Sequence, residues 1–211
     1  STSTRNMIRK IWPYKLPDMD PEMLAKLVFC FENDPERSDG IISGAQDAIG
    51  ICMPGLVRHW YDKRFWPLKF ETCSDEAVLC WLEDHLCMVP MFPRRPGCSV
   101  VNDTHIDKPH VERLAAAADE CWNAILQRNL EGFAASYRAS FEAQIAMFPG
   151  MIQPGVQDYI DRYSAEPGVL AWKMPGAGGG GYLALVVSDL AAFCAAHPEA
   201  IQLYIRRAAD N

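Results

Sequence analysis

Five glycines within six consecutive residues are the feature that most restricts how this chain can fold. The stretch runs from Gly176 through Ala177 to Gly181 and lacks nearly every Cβ atom. Its backbone can therefore adopt positive φ angles and pass close to a neighbouring segment. The residues on either side, 169–174 and 182–187, have the apolar character of β-strands. This pattern predicts a glycine-rich turn that joins two strands.

The same stretch satisfies the G-x-G-x-x-G pattern of dinucleotide-binding proteins. In those proteins a helix opens directly after the glycines, so that the pyrophosphate meets a helix N-terminus. Here a strand pattern follows, which argues against that class of site. A tight hairpin without a ligand is one remaining interpretation. A hairpin needs only one or two glycines, and a surplus at strand ends favours the close approach of another group.

The rest of the chain mixes helical and strand patterns without a regular alternation of the two. Such a mixture predicts an α+β fold. The predicted elements, in chain order, are a helix opened by Asp20-Pro21-Glu22, a β-hairpin over 56–72, a buried strand over 85–92, a pair of amphipathic helices between 111 and 145 that breaks near Gly132, a helix over 155–164, a helix over 188–196 and a strand over 200–205.

Charge and composition argue against several classes of partner. The net charge is −7 and no block of Lys and Arg is present, which argues against a nucleic acid partner. No apolar run reaches the length of a membrane-spanning helix. The eight cysteines include no Cys-x-x-Cys pair, so we expect reduced, buried thiols in a cytoplasmic protein. His105, Asp107 and His110 lack the spacing of a closed zinc site, and a solvated loop is favoured there.

A family resemblance rests on the glycine stretch and its flanks, Lys173-Met174-Pro175 and Tyr182-Leu183. This run closely resembles the third conserved motif of GHMP kinases, especially the form found in L-fucokinase and in D-glycero-D-manno-heptose phosphate kinase. In that family the loop lies beside the phosphate-binding loop. The resemblance implies that an ATP phosphate site is lined by Gly176, Ala177, Gly178, Gly179, Gly180 and Gly181.

A second match is Gly44-Ala45-Gln46-Asp47, which resembles the Gly-x-Gln-Asp element of the same sugar kinases. The resemblance implies that Asp47 is the catalytic base for the sugar hydroxyl and that Gly44 and Gln46 contact the substrate. A carboxylate against the accepting hydroxyl can orient it and take its proton as the phosphoryl group transfers. An Asp after a glycine can also be a helix N-cap, and that alternative stays open.

A third match is Ser1-Thr2-Ser3-Thr4, which resembles the last hydroxyl residues of the family's glycine-rich phosphate loop. The resemblance implies that these four residues bind ATP phosphates and that Ser3 and Thr4 also bind Mg²⁺. A Ser- and Thr-rich chain end without a ligand is the alternative. The glycines of that loop have no counterpart here, so we expect the chain to lack the N-terminal part of the fold and to be incomplete for activity.

Arg95 follows the strand predicted to end at Phe92, much as an Arg follows the first strand of the family's C-terminal domain. The resemblance implies that Arg95 holds a sugar oxygen or a phosphate. An exposed charge in a Pro-rich loop is the alternative.

The resemblance also implies two domains. Residues 1–72 would be the remnant of the GHMP N-terminal domain, and 73–211 the C-terminal domain with antiparallel strands and a helix pair.

The resemblance implies a sugar kinase that transfers a phosphoryl group from ATP, with Mg²⁺, to a hydroxyl of a fucose-like or heptose-like sugar or sugar phosphate. The expected partners are therefore a small sugar substrate and ATP. A non-catalytic binding or interaction module on the same fold is the alternative. The sequence leaves the oligomeric state open.

Overall fold

The computed structural model describes residues 2–11, 20–36, 42–94 and 104–208 of the chain. They form two compact units. The first takes the described residues of Ser1–Asp75 and Ile205–Asn211, and the second is Glu76–Tyr204. Helices and antiparallel sheets occur together, so the α+β prediction is confirmed. The assignment of 1–72 and 73–211 as the two GHMP domains stays a prediction.

The first unit contains three helices and a two-stranded sheet. A predicted helix start is confirmed at Asp20, whose carboxylate accepts a hydrogen bond from the Glu22 N–H at 3.2 Å and so caps the helix that Pro21 begins. In chain order the elements are α1 (Thr2–Ile11), α2 (Pro21–Glu32), α3 (Gln46–Cys52), β1 (Leu56–Trp60) and β2 (Lys69–Cys73).

The two strands of this unit confirm the predicted hairpin. They pair antiparallel, from Leu56 opposite Cys73 to Trp60 opposite Lys69. Helices α2 and α3 supply most of the buried core of the unit, which is Ala25, Val28, Ala45, Ala48, Ile49 and Cys52.

The C-terminal end of α3 is held by two arginines. The guanidinium of Arg5 donates to the carbonyl of Ile51 at 2.8 Å, and that of Arg206 donates to the same oxygen at 2.7 Å. The carbonyl of Arg206 in turn accepts from the Gly55 N–H at 2.9 Å. Cationic donors at this end satisfy a terminal carbonyl and complement the helix dipole. The chain's C-terminal segment therefore helps to fix the position of α3.

The second unit contains a four-stranded antiparallel sheet and five α-helices among its described residues. The strand order is β4-β5-β3-β6, so β5 lies between β4 and β3. In chain order the elements are α4 (Glu76–Glu83), β3 (Leu86–Pro90), α5 (Lys108–Leu126), α6 (Leu130–Met147), a 3₁₀ turn (Pro149–Met151), α7 (Val156–Ser164), β4 (Val169–Lys173), β5 (Tyr182–Val187), α8 (Leu190–Ala196) and β6 (Ile201–Gln202).

The predicted helix pair is present as α5 and α6, which pack along each other. The predicted break near Gly132 is wrong by a few residues, because the helices are joined by 127–129 and Gly132 lies in the first turn of α6. Asn129 caps α6 by accepting from the Gly132 N–H at 3.1 Å. A Cβ at Gly132 would lie 2.6 Å from the Asn129 amide nitrogen, so the glycine makes room for the cap instead of ending a helix.

Two other sequence expectations need correction. The last strand is Ile201–Gln202 and not 200–205, because only these two residues pair with β3. Cys30 and Cys80 are exposed, while Cys52 and Cys87 are buried as expected. Cys98 lies outside the described residues. No helix in the described part of the chain combines the length and the apolar character needed to cross a bilayer.

A lysine at the end of β4 is half-buried. The Lys173 ammonium donates to the Ser140 hydroxyl of α6 at 2.9 Å. Burial lowers the pKa of Lys173 to about 8 from 10.5. Between these two pH values the unfolded chain holds a proton that the folded chain has released. This residue therefore makes stability rise as pH increases from about 8 to about 10.5.

We predict that the Lys173→Met substitution reveals this pH dependence. The free energy of unfolding of the wild type, minus that of the variant, should increase by about 2–3 kcal/mol between pH 7.5 and pH 10.5. Urea unfolding at a series of pH values measures the difference. Contributions from groups that do not interact with Lys173 cancel, such as that of the Cys87 thiol, whose pKa burial raises to about 12. Lys108→Met, which removes an exposed ammonium, is the matched control. A difference that stays constant with pH would contradict the assignment.

Candidate active site

The glycine loop has a backbone that few other residues could adopt. Its left-handed φ angles are 65° at Gly176, 73° at Gly178, 76° at Gly179, 137° at Gly180 and 94° at Gly181. L-residues with a Cβ rarely take such angles. The loop joins the antiparallel strands β4 and β5. The predicted glycine turn between two strands is therefore confirmed, as is the absence of a helix directly after it.

Close packing is a second reason for the glycines. A Cβ at Gly178 would lie 2.9 Å from the Met151 side chain, and one at Gly180 would lie 2.8 Å from the Phe92 carbonyl oxygen and 3.0 Å from the Arg94 nitrogen. Contacts under 3.0 Å force a neighbour to move, and a backbone neighbour moves least easily. The loop thus depends on missing side chains at these positions whether or not it binds a ligand.

Hydrogen bonds tie the buried part of the loop to its surroundings. The Gly179 N–H donates to the Met151 carbonyl at 2.9 Å, and the Gly181 N–H donates to the Phe92 carbonyl at 2.8 Å. The Gly181 carbonyl accepts from the Met91 N–H at 2.8 Å. Gly178, Gly179 and Gly180 are buried, whereas Gly176 and Ala177 are exposed. A ligand would therefore reach the loop at its first two residues.

An arginine after strand β3 reaches the loop, although it is not the arginine chosen from the sequence. Arg95 lies outside the described residues. The preceding residue, Arg94, donates from Nε to the Gly178 carbonyl at 2.9 Å. The rest of that planar guanidinium carries further N–H donors suited to an anion. The role predicted for Arg95 stays a prediction, and Arg94 joins it as a candidate.

A cavity of about 480 Å³ in the first unit brings together four residues chosen from the sequence, namely Thr4, Gly44, Gln46 and Asp47. Thr4 comes from the first turn of α1, and Gln46 and Asp47 are the first two residues of α3. The other lining residues are Phe31, Glu32 and Ser43. Thr2 and Ser3 are exposed on α1 and do not line this cavity, and Ser1 lies outside the described residues.

The alternative that Asp47 is a helix cap is wrong. Ala45 holds the N-cap position of α3 and makes no side-chain hydrogen bond there. Asp47 is the second helical residue, and it is exposed. Its side chain is thus in the first turn, where the helix dipole favours negative charge, and it lines the cavity.

Glu32 is a cavity residue that the sequence analysis missed. It is the last residue of α2, and its carboxylate accepts a hydrogen bond from the Thr4 hydroxyl at 2.8 Å. A carboxylate at a helix C-terminus faces the negative end of the dipole, which is unfavourable unless another group compensates. That placement is the sequence signal that could have identified it. The cavity thereby gains a second carboxylate besides Asp47.

Two oxygen groups on this side of the cavity could contribute to a magnesium site. Among the described residues, no group of three or more His, Cys, Asp and Glu side chains is arranged to hold a metal. Mg²⁺ is commonly held by one or two protein oxygen ligands together with substrate phosphates and water. The Thr4 hydroxyl and the Glu32 carboxylate, already in contact, fit that pattern. Ser3, the other predicted ligand, is exposed outside the cavity.

The histidines near residue 107 have a structural role. Asp107 is the N-cap of α5, where its carboxylate accepts from the His110 N–H at 3.0 Å and contacts His110 Nδ1 at 2.7 Å. The backbone N–H, followed by the side chain of His110, holds the pKa of Asp107 below its usual value. His105 is exposed. Asp107 and His110 form a helix cap, and this role accounts for their positions without a metal ion.

Comparison with known proteins identifies the fold. No protein-family model matches the sequence, and no curated protein matches it. The structure is similar to a candidate sugar kinase from Campylobacter jejuni, with a TM-score of 0.62 and 17% identity over 97% of this chain and 57% of that protein. It is also similar to mevalonate diphosphate decarboxylase from Staphylococcus aureus, with a TM-score of 0.54 and 11% identity over 90% of this chain and 59% of that protein. This chain has a GHMP-type fold.

Likeness at this level of identity shows the fold and does not distinguish a kinase from another protein of the same fold. The chain spans less than two thirds of the length of either protein. One neighbour is described as a kinase and the other as a decarboxylase, so the shared feature is the fold alone. The cavity belongs to the first unit and the glycine loop to the second. Their grouping into one active site, like the fucokinase and heptose kinase resemblance, stays a prediction.

We predict that Gly180→Ala destabilises the protein far more than Gly176→Ala. The first variant places a methyl group against the Phe92 carbonyl, and we expect a loss of about 3 kcal/mol or more in the free energy of unfolding. The second places a methyl group in open space, so only the left-handed backbone is penalised, by about 1 kcal/mol. Chemical denaturation measures both. Equal losses would show that the close approach is not a stability constraint.

Proposed function

We propose that this chain is part of an ATP-dependent kinase that phosphorylates a hydroxyl group of a sugar or sugar phosphate, with a fucose-like or heptose-like acceptor. The observation that carries the proposal is the cavity of the first unit. There Gly44, Gln46 and Asp47 lie with Thr4 and Glu32 around one space, in a chain with a GHMP-type fold. This cavity unites two sequence segments that were matched to sugar kinases independently.

Asp47 is the proposed catalytic base. Its carboxylate is exposed to the cavity and sits in the first turn of α3. It would accept a hydrogen bond from the acceptor hydroxyl, orient the oxygen for in-line attack and take the proton as the new phosphate ester forms. Gln46 offers an amide donor and acceptor for other sugar hydroxyls. Gly44 has no atom within 4 Å of its missing Cβ, which leaves room for a sugar ring.

Glu32 and Thr4, with Ser3 from the sequence match, are the proposed magnesium ligands, and Ser1, Thr2, Ser3 and Thr4 are proposed to contact ATP phosphates. Bound Mg²⁺ would neutralise charge on the transferring phosphoryl group. The protein residues hold their oxygens in place through the bond from the Thr4 hydroxyl to Glu32. The two carboxylates would then have separate roles, because Asp47 handles a proton and Glu32 faces a cation.

The glycine loop is the proposed phosphate-facing segment of the second unit. Its exposed part, Gly176 and Ala177, allows a ligand to approach the backbone. Arg95, or Arg94 beside the loop, is proposed to hold a substrate oxygen or a phosphate. Most of the catalytic effect in such a site would come from positioning and charge neutralisation.

We predict that Asp47→Asn abolishes sugar-dependent turnover. The amide keeps the shape of the side chain but cannot take the proton, so kcat should fall by about 10²- to 10⁴-fold. The Michaelis constant for ATP should stay within about threefold, because ATP phosphates are proposed to contact other residues. The assay measures ATP consumption by the full-length protein with fucose, heptose phosphate, galactose and mannose.

Asp158→Asn is the matched control for this experiment. Asp158 is also exposed and also lies in the first turn of a helix, α7, so the control reproduces the charge change without touching the cavity. Full activity in Asp47→Asn, or equal losses in both variants, would remove Asp47 from the role of base.

We predict that Glu32→Gln raises the Mg²⁺ concentration required for half-maximal turnover by about tenfold. The amide is a weaker ligand for a hard cation than a carboxylate. A magnesium titration at saturating ATP and sugar measures the shift, and excess Mg²⁺ should restore most of the rate. Asp47→Asn should not be rescued in this way. An unchanged magnesium requirement would separate Glu32 from the metal.

A non-catalytic module on the same fold is the second candidate. It is favoured by the glycine loop, where φ angles and contacts with Phe92, Arg94 and Met151 account for the glycines without a ligand. Equilibrium dialysis with ATP and Mg²⁺ separates the candidates. A kinase binds nucleotide and consumes it when sugar is added, whereas a folded protein that consumes no ATP with any sugar supports the module.

A further inference from the structure

An asparagine at the end of α2 makes an unusual set of hydrogen bonds across the chain. The Asn33 Oδ1 accepts from the Ser43 N–H at 2.7 Å, and its Nδ2 donates to the Ser43 carbonyl at 3.3 Å. The same Nδ2 donates to the Phe29 carbonyl at 2.9 Å, and the Asn33 backbone N–H donates to that carbonyl at 3.1 Å. One side chain therefore binds both polar groups of a residue ten positions away and also closes its own helix.

The two residues joined by this amide stand directly beside the two walls of the cavity. Asn33 follows Glu32, on the α2 side, and Ser43 precedes Gly44, on the α3 side. Phe31 and Glu32 line the cavity on the α2 side, and Ser43, Gly44, Gln46 and Asp47 line it on the α3 side. The backbone at Ser43 has no regular secondary structure, so no helix or sheet ladder holds this residue in place.

We propose that Asn33 is a positioning residue that fixes the distance between the Glu32 and Asp47 sides of the cavity. The effect of Asn33 on turnover rests on the proposed function, whereas its effect on the geometry of the cavity does not. Phosphoryl transfer depends on placing the acceptor hydroxyl, the base and the cation in one geometry, and a displacement of about 1 Å can cost about 100-fold in rate. Asn33 would act through the positions of Glu32 and Asp47 without touching the substrate.

The chemistry of the amide explains why other side chains would serve less well. Asparagine is both a donor and an acceptor, which matches the N–H and C=O of one residue. Aspartate keeps an acceptor for the Ser43 N–H, but it loses the donors to Ser43 and Phe29 and adds a negative charge next to Glu32. Alanine loses every side-chain bond. Comparing the two substitutions therefore separates the contribution of the amide acceptor from that of the amide donors.

Hydrogen exchange tests the structural half of the proposal without relying on any activity. In Asn33→Ala the Ser43 amide should exchange at least about tenfold faster than in the wild type, and 44–47 should also lose protection. In Asn33→Asp the Ser43 amide should retain part of its protection, because its acceptor remains. Unchanged exchange at Ser43 in Asn33→Ala would overturn the proposal.

Kinetics tests the catalytic half on the full-length protein. Asn33→Ala should lower kcat by about 10- to 100-fold and leave the Michaelis constant for ATP within about threefold, and Asn33→Asp should recover part of the loss. Asn129→Ala is the matched control, because it removes an asparagine that accepts a backbone N–H bond from Gly132 at 3.1 Å in the second unit. A loss of kcat no larger than in this control would reduce Asn33 to a general stability role and overturn the proposal.

The exchange and kinetic experiments distinguish a failure of the proposed function from a failure of the positioning role. If the wild type consumes no ATP with any sugar, the proposed function fails and the exchange experiment alone decides the role of Asn33. If the wild type is active and Asn33→Ala has both unchanged exchange and unchanged kcat, the proposed function stands and the positioning role fails.

Discussion

The second unit depends on one constraint, the passage of the glycine loop so close to the segment after β3 that no side chain fits between them. The Gly180 position faces the Phe92 carbonyl and the Arg94 backbone, and the Gly178 position faces Met151. Hydrogen bonds from Gly179 and Gly181 keep these segments together. The β4–β5 hairpin, the end of β3 and the 3₁₀ turn are therefore held together, and the bond from Lys173 to Ser140 joins the loop end of the hairpin to α6.

In the first unit the candidate site is made from helix ends. The first turns of α1 and α3 and the last residue of α2 meet at the cavity. Helix ends carry unsatisfied backbone groups and partial charges, and here they are matched by side chains. Asn33 closes α2, Arg5 and Arg206 close α3, and the carboxylate of Asp47 lies at the favourable end of its helix.

The predictive value of the sequence differed between the fold and the site. The glycine turn, the Asp20 cap, the β-hairpin and the two long helices follow from patterns that extend over a few residues. Helix α4, Glu76–Glu83, was not predicted. Asp47, Gln46, Gly44 and Thr4 were chosen on resemblance and share one cavity, while Glu32 was missed because its link to Thr4 spans 28 residues of sequence.

The sequence by itself determined which segments turn, cap and extend, because φ preferences, caps and hydrophobic periods are properties of neighbouring residues. Only the tertiary structure decided which polar groups share the cavity and which glycines are required by packing, since those facts depend on segments distant in sequence. Asp47 shows the division most clearly. Its motif can be recognised in the sequence. Its position in the first turn of α3, with Ala45 as the N-cap, depends on where the helix begins in the folded chain.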